Sequence, residues 1–106
     1  MENREKLSEC EEIIYSILLK SDQDLILAEI TEQAKQFGKE WKIQTTATFL
    51  TRMEKKGYTS SYRIDRRSHY HPLVPLKEYR KEKLSELREL LSFKSYKEMA
   101  DFIKNM

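Results

Sequence analysis

The hydrophobic pattern of this chain changes its period at Gly57, and that change constrains the fold more than any other feature of the sequence. Ahead of Gly57, a core-facing stripe follows the i, i+3, i+4, i+7 spacing of an amphipathic helix, at Thr46, Phe49, Leu50 and Met53. Behind it, two short segments alternate between two faces, as strands do, and a charged stretch joins them. The pattern predicts a helix over about residues 43–56 and a β-hairpin over about residues 58–73.

Helical periodicity accounts for most of the remaining chain. A first helix begins where Ser8 and Glu11 have the spacing of a capping box. A second helix runs from about Leu27 to Gly38, which is a natural C-terminal stop. Two further helices follow the hairpin and are separated around Ser92. This order predicts a mainly α fold with a small β-hairpin, that is, a winged helix-turn-helix with additional C-terminal helices.

The third predicted helix carries a polar face opposite its core-facing stripe. Short hydrogen-bonding side chains occupy its first turns and cations its later turns, at Gln44, Thr45, Thr48, Arg52 and Lys55. Such a face suits a helix that reads base edges in the major groove of DNA, although a merely solvated helix face has the same composition. Lys42 precedes this helix, and Arg66 and Arg67 lie at the predicted hairpin tip, where exposed charges add little to folding stability.

Charge is sorted along the chain. Residues 1–41 hold five Lys or Arg against ten Asp or Glu, a net −5, whereas residues 42–67 hold seven against two, a net +5. The overall formal charge of +2 hides this asymmetry. Positive charge therefore coincides with the third helix and the hairpin tip, where a phosphate-binding surface needs it.

Composition limits the class of protein further. A chain of 106 residues, 39% of them hydrophobic, supplies one modest core, and two Gly and two Pro favour helices over a sandwich or barrel. No apolar run approaches the roughly 18 residues that span a bilayer, and the acidic N-terminus differs from a signal peptide. A cytoplasmic protein without a membrane partner is therefore expected. Cys10 is the single cysteine, so neither an intrachain disulfide nor a cysteine-based metal cage is predicted.

Patterns typical of enzymes and metal sites find little support. His69 and His71 share one strand face and can supply two metal ligands, but no third ligand is evident nearby, which favours sheet-surface histidines. Tyr58, Tyr62 and Tyr70 can stack on bases, but half-buried cross-strand packing is the favoured interpretation. No nucleophile–base spacing, glycine-rich phosphate loop or paired carboxylates appear. We therefore predict no catalytic residues, no cofactor, no metal and no enzymatic activity.

The last two predicted helices are interpreted as a separate region. Residues 1–74 are interpreted as a winged-helix DNA-binding domain and residues 75–106 as a helical dimerisation region. The apolar stripe of this region can complete a monomer core or lie on a membrane, but its mixed charges favour pairing with a second copy of the chain. The residues expected at that interface are Leu76, Leu84, Leu87, Leu91, Phe93, Tyr96, Met99 and Ile103.

Over roughly residues 7–91, the chain resembles the BlaI/MecI/CopY penicillinase repressors of bacteria. The resemblance rests on LSECEEIIYSIL in the first helix, on the hairpin ending YHPLV, and on the tryptophan and TxxTFLTRMEKKGY block of the third helix. The family's block is matched at Trp41, Thr45, Thr48, Phe49, Leu50, Arg52, Met53, Lys56, Gly57 and Tyr58. It implies a homodimeric repressor whose N-terminal winged helix binds an inverted-repeat operator and whose C-terminal helices form the dimer.

The resemblance also implies particular DNA contacts and points to departures from them. Contacts with DNA are implied at Thr45, Thr48, Arg52 and Arg66, and Gln44 takes a place often filled by Lys. Lys42 and Ile43 replace the usual Ser-Pro, so the third helix is expected to lack a side-chain cap. Ala47 stands where some members carry Arg, which is expected to change sequence preference.

The family's two induction signals are not matched in this sequence. Antibiotic-responsive members are cleaved at an Asn-Phe bond, but Asn3 precedes Arg4 and Asn105 precedes Met106. Copper-responsive members carry paired Cys-x-Cys motifs, and this chain has one cysteine. The sequence therefore predicts a bacterial repressor that binds a palindromic operator as a homodimer and leaves its inducer open. A winged helix that binds a protein partner remains the alternative, and a hydrolase or modifying enzyme is a third class without a visible polar pocket.

Overall fold

A computed structural model describes residues 4–106 of the chain, which divides into two compact units, Met1–Val74 and Pro75–Met106. The helices are α1 Glu9–Lys20, α2 Leu27–Ala34, α3 Ile43–Lys55, α4 Leu76–Leu90 and α5 Tyr96–Lys104, and the strands are β1 Leu25–Ile26, β2 Thr59–Ile64 and β3 Arg67–Pro72. A short 3₁₀ turn, Lys35–Phe37, extends α2. The predicted fold class, a mainly α winged helix with a small β wing, is confirmed.

Local signals set the ends of the first three helices. The Ser8 hydroxyl accepts a hydrogen bond from the Glu11 backbone N–H at 3.2 Å, and the Glu11 carboxylate accepts one from the Ser8 backbone N–H at 2.8 Å. The predicted capping box is thus confirmed. Gly38 adopts a left-handed φ of 76° and ends the α2 segment. At the start of α3, Lys42 makes no side-chain capping hydrogen bond, as its replacement of the usual Ser predicted.

The core of the first unit lies between its three helices. Ile14, Tyr15, Ile30, Leu50 and Met53 are fully buried. The Tyr15 hydroxyl donates to the Val74 carbonyl at 3.1 Å and accepts from the Val74 N–H at 2.9 Å, which ties the end of this unit to α1.

The predicted core-facing stripe of α3 is confirmed at three of its four positions. Thr46, Leu50 and Met53 are buried. The Thr46 hydroxyl lies 2.8 Å from the Thr31 hydroxyl, and this buried hydrogen bond joins α3 to α2. Phe49 is only half-buried, and its ring packs on Trp41 with the ring centroids 5.0 Å apart.

The sheet has the strand order β1-β3-β2, and both pairings are antiparallel. Within the hairpin, Thr59 faces Pro72 and Ile64 faces Arg67. The sequence predicted this hairpin and a short extended piece at Leu25 and Ile26, but not the pairing of that piece with β3, in which Leu25 lies opposite Tyr70. Because β1 runs directly into α2, the added strand fixes the base of the hairpin to the helical part of the unit.

The three tyrosines have different surroundings, so the cross-strand interpretation holds only in part. Tyr62 lies opposite His69, and the two rings stack with centroids 5.4 Å apart. Tyr70 is half-buried, as expected. Tyr58 precedes β2 and is buried edge-to-face against Tyr15 of α1, so the cross-strand expectation was wrong for this residue.

In the second unit, a short break separates α4 from α5. Ser92, at a left-handed φ of 63°, follows the end of α4, and the Ser95 hydroxyl caps α5 by accepting from the Glu98 N–H at 3.1 Å. The Arg88 guanidinium lies 5.0 Å from the centroid of the Tyr96 ring. The predicted break between the last two helices around Ser92 is therefore found.

Candidate nucleic-acid interface

The outward face of α3 carries the polar residues that the sequence selected. Lys42 and the five predicted positions on the helix are all exposed, namely Gln44, Thr45, Thr48, Arg52 and Lys55. Thr51 is exposed on the same face, seven residues after Gln44, and was missed by sequence reasoning although its spacing was visible. The helix therefore presents a continuous surface from its first turn to its last.

Two threonines on this face direct their hydroxyl groups to the helix backbone. Thr48 donates to the carbonyl of Gln44, and Thr51 donates to the carbonyl of Ala47, each at 3.0 Å. Each hydroxyl hydrogen is thereby occupied, although the oxygen can still accept a hydrogen bond. In this conformation, Thr48 and Thr51 offer a partner an acceptor oxygen and a methyl group.

Five cations of the predicted interface form no ion pair within the described residues: Lys42, Arg52, Lys55, Arg66 and Arg67. Other lysines of the chain are paired, for example Lys35 with Glu32 at 3.1 Å and Lys97 with Asp101 at 3.1 Å. Unpaired exposed cations do not need to break an internal contact before they bind an anion.

Lys56, directly after α3, is used in the opposite way. Its ammonium lies 2.7 Å from the carboxylate of Glu11, whose side chain is 1% exposed. Burial raises the pKa of Glu11, but hydrogen bonds from Lys56 and Ser8 and the charge of Lys56 outweigh it, so the pKa of this carboxyl is lowered overall. Sequence reasoning had named Glu11 only as a capping residue.

The N-terminal segment adds two contacts at the same end of α3. The Lys56 ammonium also donates to the Lys6 carbonyl at 3.0 Å. The Arg4 guanidinium lies 5.3 Å from the centroid of the Tyr58 ring, in cation–π geometry. Together with the Glu11 pair, these contacts fix the junction between α3 and the wing.

The wing, Thr59–Pro72, projects two arginines at its tip. Asp65 and Arg66 form the two-residue turn with φ of 50° and 69°, a left-handed pair that hairpin turns favour and that Gly usually supplies. Arg63 donates from its guanidinium to the Arg66 carbonyl at 2.9 Å, which braces this turn. Arg67 begins β3, so it belongs to the strand rather than to the turn.

A polar cluster at the base of the wing joins it to β1. Asp24 accepts hydrogen bonds from the Tyr62 hydroxyl at 2.6 Å and from the Nδ1 of His71 at 2.8 Å. These two bonds, Tyr62 first, lower the pKa of the Asp24 carboxyl, and the same contact raises the pKa of the Tyr62 hydroxyl. The residue that meets His71 is thus a carboxylate 47 residues away in sequence. Within residues 4–106, no three ligand side chains come together as a metal site.

The second unit exposes most of the residues expected at a dimer interface. Leu76, Leu84, Leu87, Leu91, Tyr96 and Ile103 are between 41% and 59% exposed. Phe93 is half-buried, and Met99 is already 6% exposed within the chain, so it has little surface left to give to a partner. Phe102 is 61% exposed and was not among the predicted positions.

A family model described as penicillinase repressor matches residues 7–106. The chain belongs to the penicillinase repressor family. The match includes α5, beyond the stretch of roughly residues 7–91 that carried the resemblance in sequence. Comparison with curated proteins gives no match. Membership implies a bacterial transcriptional repressor, and the repressor's described helices include none that is long and apolar enough to cross a membrane.

Proposed function

We propose that this repressor binds an inverted-repeat DNA operator as a homodimer, with α3 in the major groove and the wing on the adjacent backbone. The observation that carries the proposal is the set of five exposed cations along α3 and the wing tip that form no internal ion pair in the described chain. DNA phosphates are suitable partners for these cations, because each cation that neutralises a phosphate releases counterions from the DNA.

Each part of the surface has a proposed role. Gln44, Thr45 and Thr48 face base edges in the first two turns of α3, where recognition helices make their base contacts. Arg52 and Lys55, further along the helix, contact phosphates or a guanine. Lys42, Arg66 and Arg67 hold the flanking backbone, so they fix the register of the protein on the duplex without reading sequence.

The second unit would form the dimer. Exposed leucines lie on α4 at Leu76, Leu84 and Leu87 and directly after it at Leu91, and they follow helical spacing on one side. A two-fold axis through this region predicts a palindromic operator with half-sites about one helical turn apart. A dimer on such a site blocks access of RNA polymerase in the cytoplasm, and this mechanism needs no cofactor and no catalytic residue.

Arg52→Ala tests the assignment of α3. A randomised duplex library is first used to select bound sequences, and the affinity of wild type and variant for the selected duplex is then measured over a salt series. If Arg52 reads a base, the variant should lose about 1–3 kcal/mol of binding free energy and relax one operator position. If it holds a phosphate, binding should weaken on all sequences and the salt slope should fall by about one.

Glu32→Gln, on an exposed position of α2 outside this surface, is the control and should bind like wild type. An Arg52→Ala variant that equals wild type in affinity, sequence preference and salt slope would remove Arg52 from the interface. Failure of the wild type to bind any duplex at low salt would instead favour the alternative, a winged helix that binds an acidic protein partner.

A further inference from the structure

One flank of α3, between its buried stripe and its outward face, carries alkyl groups. Ile43, Ala47 and Thr51 follow each other at i, i+4 and i+8, so they form one row along the helix. We call these three residues the methyl row. Ile43 is 49% exposed, Thr51 is exposed, and Ala47 is half-buried.

The methyl row is apolar even at its threonine. The Thr51 hydroxyl donates to the Ala47 carbonyl, so its methyl group forms the apolar part of the exposed surface. Ile43 lies one turn before the buried residues Thr46, Leu50 and Met53 and is not itself among them, because about half of its surface remains exposed. The row is therefore available to a partner.

The neighbours of the methyl row indicate the chemistry of that partner. Gln44 and Thr48 lie beside it, and the cations Lys42, Arg52 and Lys55, which form no ion pair within the described residues, lie at its ends and on the opposite flank. Glu54 adjoins its C-terminal end, where its carboxylate accepts a hydrogen bond from the Ser61 hydroxyl at 2.7 Å. A partner must therefore present an apolar group between anionic borders. The major groove of DNA does this at thymine, whose C5-methyl is the apolar feature that a base edge exposes there.

We propose that the methyl row recognises thymine C5-methyl groups, so that each operator half-site carries thymines where Ile43 and Thr51 meet the groove. This proposal rests on the proposed function and makes it more specific. It also gives Ala47 a positive role, since a long cationic side chain at this position would lie across the row between Ile43 and Thr51.

Replacement of thymine by deoxyuridine tests the proposal, because it removes the C5-methyl and leaves base pairing unchanged. The probe is the duplex selected from the randomised library, with each thymine replaced in turn and symmetrically in both half-sites. At the positions that meet the row, wild-type affinity should fall about fourfold for each methyl group lost, the ratio that corresponds to burying one such group. The remaining thymines should be insensitive.

Variants of the row then assign each methyl contact to a residue. At the thymine that Ile43 contacts, the Ile43→Ala variant should bind the thymine and deoxyuridine duplexes equally. Thr51→Ser, which keeps the hydroxyl, should bind both duplexes equally at the thymine that Thr51 contacts. Ile43→Val, which preserves the branched side chain, should retain part of the sensitivity. Arg52→Ala is the matched control: it should weaken binding to both duplexes by the same factor, so their ratio stays that of wild type.

The outcomes distinguish the thymine-methyl proposal from the proposal that the protein binds DNA. If wild type binds the selected duplex and no deoxyuridine replacement lowers its affinity, the methyl row is not a reader and the DNA-binding proposal stands. If Ile43→Ala keeps every thymine preference of wild type, the assignment to Ile43 is overturned. If no duplex is bound at all, both proposals fail together. Circular dichroism and thermal unfolding of each variant establish that it is folded.

Discussion

The two units of this repressor use their apolar residues in opposite ways. Of the buried apolar residues in the described chain, eleven lie in the first unit and one, Met99, in the second. Of the large apolar residues that are exposed among residues 4–106, five lie in the first unit and nine in the second, although the second holds only residues 75–106. The first unit buries much of its apolar surface in its own core, whereas the second leaves most of that surface exposed.

This difference also explains where charge is exposed. In the first unit, the outward side of α3 and the wing tip are not part of the buried core, so they can carry unpaired cations. In the second unit, α4 exposes leucines on one side, at Leu84 and Leu87 for example. This division is the basis for proposing two surfaces with two kinds of partner, a polyanion for the first unit and a second copy of the chain for the second.

The largest expected effect comes from a charge in the apolar surface of the second unit. Leu87 is 42% exposed, so Leu87→Glu should leave each chain folded but disfavour burial of this surface against a second copy. A repressor reduced to a monomer loses the gain of binding two linked half-sites, which is on the order of 10²–10⁴ in affinity. Analytical ultracentrifugation and gel shifts on one-site and two-site duplexes measure both effects.

Glu89→Gln is the control for that prediction. It changes one charge at an exposed position two residues along α4, on the other side of the helix, and should leave both the mass and the affinity unchanged. If Leu87→Glu sediments like wild type, the exposed leucines of the second unit do not form the dimer, and their exposure has no role in self-association.

The next effect separates two adjacent lysines of the first unit. Lys56→Met removes the partner of a buried carboxylate at Glu11 and should lower the free energy of unfolding by about 3 kcal/mol, because a buried charge is left uncompensated. Lys55→Met, one residue earlier and exposed without an ion pair, should change stability by less than about 0.5 kcal/mol and instead weaken DNA binding. Urea denaturation and salt-dependent gel shifts measure the two quantities. Equal stability losses in the two variants would contradict this division of roles.

The pH dependence of stability sharpens the same point. The folded-state pKa of Glu11 is lowered from its ordinary value of 4.5, so its ionised form favours the folded state. Its contribution is fully present above that ordinary value and is lost as pH falls through the lower, folded value. The difference in free energy of unfolding between wild type and Glu11→Gln should therefore be constant near neutrality and shrink below about pH 4.5. A difference that stays the same from pH 7 to pH 3 would show that the charge of Glu11 is not responsible.

Much of the fold could be predicted because its signals are local. The capping box of α1, the Gly38 stop, the length of α3 and the hairpin each depend on residues within a few positions of one another. A period of 3.6 or 2 shows in such short windows. The exposure of the polar face of α3 follows from the same period, which also makes the omission of Thr51 avoidable.

The contacts that the sequence did not reveal connect distant parts of the chain. Glu11 meets Lys56 across 45 positions, and Asp24 meets Tyr62 across 38. Before the fold is known, each of these side chains looks like an ordinary solvated polar residue, and only tertiary packing decides which lysine of the pair at 55 and 56 is buried. The pairing of β1 with β3 was missed for the same reason, since Leu25 and its partner Tyr70 are far apart in the sequence.

The smallest expected effect lies at the wing tip, where folding and binding should respond with opposite signs. Arg66 holds a left-handed φ of 69°, a conformation that costs a non-glycine residue roughly 1–2 kcal/mol. Arg66→Gly relieves that strain, and the greater freedom of glycine in the unfolded chain offsets part of the gain, so the free energy of unfolding should rise by up to about 1 kcal/mol. Operator affinity should fall, with a salt slope smaller by about one, because one phosphate contact is lost.

Arg66→Ala keeps the strained backbone and should lose affinity without the gain in stability. If Arg66→Gly binds DNA like wild type at every salt concentration, the guanidinium at the tip is not a DNA contact. If both variants weaken binding while only the glycine variant gains stability, the wing tip keeps an arginine at a position where the backbone favours glycine, which is the mark of a surface maintained for its partner.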